Sequence, residues 1–355
     1  MTVRANKPAF NIREKLKELE RPIGLKGNEL MRAETAQDAF NLIGAGRRNI
    51  LINSLFEVSQ RGNYQVDNSG SAVTTTANVP RFAIDRWSFY SGVATTSAST
   101  QYVTLPTGEK VRSFKVTATS SAPNSWLHPM QAWEVQSWAE GQFFTLSCWV
   151  KTNRSGQRLR ICDSVSCWEI GEEVPSDGQW HYMTATQQVG TNLNIGSAGQ
   201  FQPAFTSGPV DNGHYVEFAL PQMELGKVAT PFEYRSYGEE LALCQRYFLK
   251  LGGESAIMGM GSGTTTSTTQ GWGVIQFPVT MRVPPTAALL GGTGVTISNG
   301  SSFPSSPTLG TQYAGTTGTM LTFNYVSPGY TGAGQGAVLY TQNGATDGLT
   351  FNAEF

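Results

Sequence analysis

Charge is what this sequence has least of. Asp, Glu, Lys and Arg make up 14% of its 355 residues, with a formal net charge of -1, whereas soluble domains usually carry about 25%. Such a balance gives no electrostatic reason to expect binding to nucleic acid or to an anionic membrane. No uninterrupted apolar run approaches the roughly 20 residues of a membrane-spanning helix, and the charged opening MTVRANKPAFNIREKLKELE holds no signal-peptide core. A soluble protein made in a cytoplasm is expected. Cysteine is scarce too: Cys148, Cys162, Cys167 and Cys244 are too few for a disulfide scaffold, and in a reducing compartment they read as small core residues. The three histidines, His128, His181 and His214, have no metal-spaced partners, and no second pair completes a ligand set around Cys162 and Cys167. Nucleophile elbow, Walker loop and dinucleotide fingerprint are absent. Neither a metal, a cofactor nor a catalytic residue is expected.

Glycine, serine and threonine take the place of charge, with 39 glycines beside 39% hydrophobic and 11% aromatic residues. That mixture favours strands and turns over helices, and the length allows two or three domains with real cores. The predicted class is mainly β. Residues 1–48 differ from the rest: charges crowd after Asn11, and Ile12, Leu16 and Leu19 form a helical stripe too thin to fold alone. A second pattern places Leu30, Ala33, Phe40 and Ile43 near one helix face before Gly44 and Gly46. These residues predict an N-terminal helical arm that docks onto another protein or self-associates, or that swaps or faces solvent.

From 49 to 236 the pattern becomes strand after strand. Phe144, Leu146, Cys148 and Val150 alternate, as do Phe114, Val116 and Ala118, and Val216, Phe218 and Leu220. Half-buried strands at short spacing predict a two-sheet β-sandwich with jelly-roll connections. Ser236 and Glu239 form a capping-box pattern, and Leu241, Cys244 and Phe248 follow at helical spacing, with Glu240 and Arg246 on a polar face. This predicts a connector helix opening a last unit, 237–355. In that unit GVIQFPVTMRVPPT, GAVLYTQ and LTFNAEF interrupt Gly-rich tracts, and Leu349, Phe351, Ala353 and Phe355 alternate to the end. A small glycine-rich distal β-sandwich is expected there.

Candidate contacts are few. Glu169, Glu172, Glu173 and Asp177 supply carboxylates of the kind glycoside hydrolysis needs, yet they fall in an expected exposed turn. Trp87 and Trp180 read as core, while Trp126, Trp133 and Trp138 flank an irregular segment. Tyr313, Tyr325 and Tyr330 sit in or beside Gly-rich loops and are the candidates for a contact surface.

Four stretches, RRNILINSLFEVSQRG, AIDRWSFY, QMELGKVATPFEYRSYGEELALCQRYF and FPVTMRVPPT, together resemble a pattern in tail-fibre and other virion proteins of tailed bacteriophages. The resemblance spans about residues 47–286. It implies a carbohydrate-binding-module-like jelly roll with an Asn-rich first strand, an Asp-Arg-Trp strand and a closing Gln-x-Glu strand. It further implies a virion protein made in the host bacterial cytoplasm, usually a homotrimer, that docks on other virion proteins through residues 1–48. The expected function is recognition of a host cell-surface glycan by the distal domain, with Tyr313, Tyr325 and Tyr330 as contacts. An architectural decoration or adaptor protein and a depolymerase are the rivals.

Overall fold

A computed structural model describes residues 48–61, 73–75, 81–92, 95–253, 258–290, 295–298, 307–325, 330, 332–341 and 347–355. The predicted arm, with Ile12, Leu16, Leu19 and the second helical pattern, lies outside the described residues.

Among the described residues, fourteen strands precede one α-helix. They are β1 (Val73–Thr75), β2 (Arg81–Ile84), β3 (Trp87–Ser91), β4 (Thr96–Thr104), β5 (Lys110–Ala118), β6 (Ala122–Ser125) and β7 (Leu127–Glu134). There follow β8 (Phe143–Thr152), β9 (Arg158–Cys162), β10 (Cys167–Ile170), β11 (His181–Gln188), β12 (Ala198–Phe205), β13 (Gly208–Val210) and β14 (Tyr215–Leu225). A front sheet has the order β1-β4-β5-β14-β8-β11 and a back sheet β10-β9-β12-β7-β3-β2, while β6 and β13 pair apart. Their pairings are antiparallel. This is the predicted two-sheet sandwich.

Alternation explains the layering. Phe114, Val116, Phe144, Leu146, Cys148, Val150 and Phe218 point inward from the front sheet to meet Trp87, Phe89, Trp133, Ile161 and Phe201 of the back sheet. Each such side chain contributes about 1.5–3 kcal/mol on full burial. Phe56 inserts among these rings, 5.4 Å from both Trp87 and Phe218. The Asn-rich stretch 48–61 that carries it is irregular rather than a strand. Asn49 and Asn53 serve instead as backbone substitutes: Asn49 Oδ1 accepts from Leu51 and Met223, and Asn53 Oδ1 from Glu57 and Val58. Alternation fails at one place. A register shift between Ala219 and Gln222 turns Leu220 to the outer face, and Met223 resumes the inner one.

The cysteines also differ from expectation. Register sets Cys162 opposite Cys167 across the β9–β10 hairpin, and the two form a disulfide. Cys148 and Cys244 are buried thiols, as expected.

The helix α1 (Tyr237–Gln245) starts with the predicted capping box between Ser236 and Glu239. At nine residues it is too short to stand alone and packs Leu241 and Cys244 on Ile52, Val58 and Tyr247. Two assignments change. Phe248 opens the next strand rather than closing the helix, and Glu240 is buried, accepting from the Asn53 backbone N–H and pairing with Arg235. A polar residue on a helix face is buried when a partner charge waits beneath it.

The second β unit comprises β15 (Phe248–Gly252), β16 (Gly259–Thr265), β17 (Gln270–Gln276), β18 (Thr286–Leu290) and β19 (Val295–Ser298). It continues with β20 (Thr308–Ala314), β21 (Gly318–Asn324), β22 (Gly336–Thr341) and β23 (Gly348–Asn352). A three-stranded sheet, β15-β23-β18, covers a six-stranded one, β19-β22-β16-β17-β21-β20. Leu249, Leu349 and Phe351 of the former meet Ile275, Ile297, Leu321, Phe323 and Leu339 of the latter. The final strand is tied into a sheet, as expected; beyond it Ala353 is buried and Phe355 exposed.

Arginines fasten the two units together. Arg86 sits in the β2–β3 turn at φ +71°, a conformation that bulky residues rarely adopt. It pairs with Glu354, donates to the Ala132 carbonyl and lies 3.5 Å from the centroid of the Tyr247 ring. Arg61 pairs with the same carboxylate at 2.9 Å and with Asp85 at 3.5 Å, its guanidinium packed against Phe82 and Phe248. Arg246 forks onto Glu134 through Nε and Nη2, both at 3.0 Å, and the Tyr247 hydroxyl donates to Glu134 at 2.6 Å. Within the distal unit Arg282 donates to the carbonyls of Ala353 and Glu354, holding the segment that carries the shared carboxylate.

Two outcomes follow from burial of these charges. Glu354→Ala strands Arg86 and Arg61 and is expected to cost about 3–5 kcal/mol, read by urea unfolding; a loss below about 1 kcal/mol would mean that water replaces the carboxylate. Burial pushes Asp85 up to about 6, against the opposing pull of Arg61. The folded state therefore binds that proton more tightly than the unfolded chain, so this group's contribution to stability is present at low pH and is lost as pH rises from about 4 to about 6. Stability measured from pH 4.5 to 7.5 should show Asp85→Asn removing a decline of about 2 kcal/mol.

Candidate functional site on the front sheet

The outward face of the front sheet carries polar and aromatic side chains in register. One row runs Ser99, Lys115, Glu217 and Lys151 across β4, β5, β14 and β8. The next runs Gln101 and Ser113 on β4 and β5, then Ala219, Trp149 and Tyr182 on β14, β8 and β11. A third pairs Gln222, Ser147 and Thr184. Period-two geometry produces these rows because every inward residue of the core leaves its neighbours facing out.

The carboxylate of Glu217 lies at the floor of this face and is buried. Its Oε1 accepts from Gln101 Nε2 at 2.7 Å and from Ser113 Oγ at 2.6 Å, and Oε2 stands 4.0 Å from Lys151 Nζ. Trp149 and Tyr182 are cross-strand neighbours with ring centroids 5.4 Å apart, and Tyr182 is 48% exposed. Lys151 and Lys115 lean over the rings of Trp180 and Tyr215. Burial pushes the phenols of Tyr182 and Tyr215 up, so both remain neutral hydrogen-bonding groups. Flat aromatic faces beside fixed amide, ammonium and carboxylate groups are suited to a ligand with apolar faces and a polar rim.

Trp180, read as core from the sequence, is half-buried on this outer face, packed with Trp149 and Phe232 against Leu105, Val111 and Leu220. Trp180 and Tyr182, two residues apart, share the outer face rather than the core one. Trp149 and Glu217 are not among the sequence-predicted contacts, although each alternates with residues assigned to the core, whereas Tyr182 shares the phase of Trp180 and so falls on the face read as core. That phase was the signal available.

The residues predicted as contacts divide. Tyr313 is 61% exposed on β20. Tyr325 and Tyr330 are buried, where exposed positions were expected: their rings pack edge to face at 5.8 Å, the Tyr325 hydroxyl accepts from the Ile297 N–H, and the Tyr330 hydroxyl donates to the Ile297 carbonyl. A tyrosine beside a glycine-rich tract has become the cap of a strand. The acidic residues are occupied in part by backbone: Glu173 accepts from Gly156, and Asp177 accepts from Gln179 and faces His181 at 3.0 Å.

A cavity of about 370 Å³ lies where Arg48, Ile50, Trp133, Trp138, Leu243 and Arg246 meet. Glu134 on its wall takes hydrogen bonds from Arg246, Tyr247 and Gln136. Its acceptor sites are consumed by the junction.

No protein-family model matches this chain, and no curated protein matches it significantly. Solved structures similar to part of it include the CBM22-1 xylan-binding domain from Paenibacillus barcinonensis, at 12% identity and a TM-score of 0.29, covering 52% of this chain and 100% of that one. The enzymatically active domain of tailspike protein 4 from bacteriophage CBA120 is similar at 12% identity and a TM-score of 0.28, with 50% of this chain and 21% of that chain covered. The tripod from the baseplate of bacteriophage Tuc2009 is similar at 16% identity and a TM-score of 0.29, with 55% and 60% covered. At these values nothing about binding or catalysis passes from them to this chain.

The two distal tyrosine environments are separable by mutation. Tyr330→Phe removes the bond to Ile297 and should cost about 0.5–1.5 kcal/mol, whereas Tyr313→Ala should stay within about 0.5 kcal/mol. Thermal melting of both variants checks the assignment; equal losses would contradict it.

Proposed function

We propose that this chain is a structural appendage of a tailed-phage particle that recognises cell-surface glycans, with the outward face of the front sheet as its platform. The carrying observation is the juxtaposition of Trp149 and Tyr182 with the Glu217–Gln101–Ser113 cluster. Pyranose rings present apolar faces to aromatic rings and hydroxyls to such groups. The phage setting rests on the four sequence stretches and their combination. Docking through residues 1–48 and threefold assembly belong to the same reading, and trimerisation would multiply weak glycan contacts by avidity. The reading assigns no catalysis.

A purely architectural role draws support from a different observation. Many residues of the diagnostic stretches, Asn49, Asn53, Arg86, Glu224 and Arg235 among them, are spent on internal contacts: Glu224 holds Thr230, and Arg235 holds the carbonyls of Asn49 and Leu51. These stretches build a scaffold whatever the scaffold carries.

Binding of labelled full-length protein to an array of bacterial surface polysaccharides tests the proposal. Trp149→Ala and Tyr182→Ala are each expected to weaken binding about tenfold, equivalent to about 1.4 kcal/mol, with melting unchanged in Tyr182→Ala, and with circular dichroism confirming the fold of Trp149→Ala, which also loses packing on the neighbouring apolar cluster. Loss in Tyr313→Ala instead would move recognition to the distal domain, absence of binding by the unaltered protein would favour the architectural role, and release of reducing ends would reveal a depolymerase.

A further inference from the structure

The Cys162–Cys167 disulfide stands at an edge of the first sandwich. Strand β10 has four residues, pairs with β9 alone and ends the back sheet. Of its side chains Ile170 is buried and Trp168 half-buried, while Cys167 and Glu169 face solvent. So little apolar anchorage makes the strand prone to local opening. Yet it closes the side of the sandwich: Ile170 and Trp168 join Met183 and Ala185 of β11 in the core, and a Cβ on Gly171 would stand 2.9 Å from the Ala185 Cβ. Strand β11 is itself the edge of the front sheet and carries Tyr182 on its outward side.

The hairpin brings the two sulfurs together by contacts that do not involve sulfur. Asp163 Oδ1 accepts from the N–H groups of Val165 and Ser166, and the Asp163 N–H donates to the Ser166 carbonyl. That turn makes Cys162 and Cys167 the next pair, with Cα atoms 4.0 Å apart, the close spacing of a pair that exchanges no backbone hydrogen bonds. Asp163 Oδ2 accepts from the Gly190 N–H and Ser164 Oγ from the Asn194 N–H, which anchors the turn to the loop after β11. None of these bonds depends on the oxidation state of the cysteines. Access differs among the four. Cys167 is exposed and Cys162 buried, whereas Cys148 and Cys244 are thiols whose burial pushes their pKa values up, leaving them poor nucleophiles.

We propose that Cys162 and Cys167 form a redox lock, a dithiol in the reducing cytoplasm and, after release, a disulfide that fixes β10 and through it the edge strand β11. The Cys167 thiolate attacks one sulfur of a low-molecular-weight disulfide and expels a thiolate; the Cys162 thiolate then attacks the Cys167 sulfur and expels the second. The protein gives up two electrons and two protons, and the small disulfide leaves as two thiols. The preset turn makes the second step intramolecular and favourable. Synthesis in a cytoplasm followed by release rests on the reading proposed above, whereas the lock rests on the hairpin.

Hydrogen exchange in the full-length protein, oxidised or reduced with a phosphine, tests the lock. Reduction is expected to raise exchange at the β10 amides about thirtyfold, the loop-closure estimate for cysteines with a sequence separation of 5, and to leave β5 and β14 at the centre of the front sheet unchanged. A Cys162→Ser, Cys167→Ser chain should match the reduced protein under both conditions. Unchanged exchange at β10, or equal acceleration throughout both sheets, would overturn the lock. The switch is read separately, by acid-quenching bacteria that express the chain and alkylating the denatured protein. Four labelled cysteines are expected from quenched cells, and two, Cys148 and Cys244, after incubation with oxidised glutathione. Two labels from quenched cells, or four after oxidised glutathione, would overturn the switch whatever the outcome for glycan binding.

Discussion

A buried carboxylate shared by two arginines holds this molecule in one piece. Glu354 follows the last strand, yet it neutralises Arg86 in the first hairpin and Arg61 in the irregular stretch before it. Bringing these charges out of water is costly, and only their mutual pairing, the Ala132 carbonyl and the flanking rings offset that cost. The left-handed backbone at Arg86 fits this account. Glycine would relieve the local strain, but it would supply neither the ion pair nor the stacking on Tyr247. Local conformation gives way to a long-range electrostatic need.

The consequence reaches both sandwiches. Arg246 at the end of α1 holds Glu134 on the back sheet and the Thr280 carbonyl, and its own carbonyl accepts from the Arg282 N–H, so the connector is clamped on several sides rather than hinged. Charge-assisted and bidentate bonds are strong and directional, and those at this junction fix the helix against the back sheet. The same economy governs the start of the sandwich, where Asn49, Glu233 and Arg235 replace ladder hydrogen bonds along most of a stretch that meets β14 through the Ile50 N–H and the Met223 carbonyl. Buried polar groups are affordable there because each of these finds a partner.

With the scaffold's own polar residues consumed internally, the surfaces left for partners differ in character. The front sheet exposes aromatic rings beside ammonium and amide groups around an anchored carboxylate. The distal sheet exposes aliphatic and aromatic groups among serine, threonine and glycine. One favours a polar ligand with flat apolar faces, and the other favours a second apolar surface. That contrast arises from what lies beneath: bulky inward residues on the front sheet let polar residues alternate outward, whereas inward glycines on β17 reverse the usual pattern.

The sequence by itself determined the β class, the inward phase of Phe114, Phe144 and Phe218, the capping box at Ser236 and the strand that ends the chain, because each depends on neighbours within a few residues. Tertiary structure decided the rest. Whether Tyr325 and Tyr330 faced solvent depended on Ile297, and whether Glu240 was buried depended on Arg235 beneath it and on Asn53, 187 residues before it. The bulge that turns Leu220 outward is likewise set by the strands on either side of β14. Local periodicity assigns residues to two faces, but it carries no information about which face a distant segment will cover. Long-range packing supplied that choice, and with it the location of the candidate site.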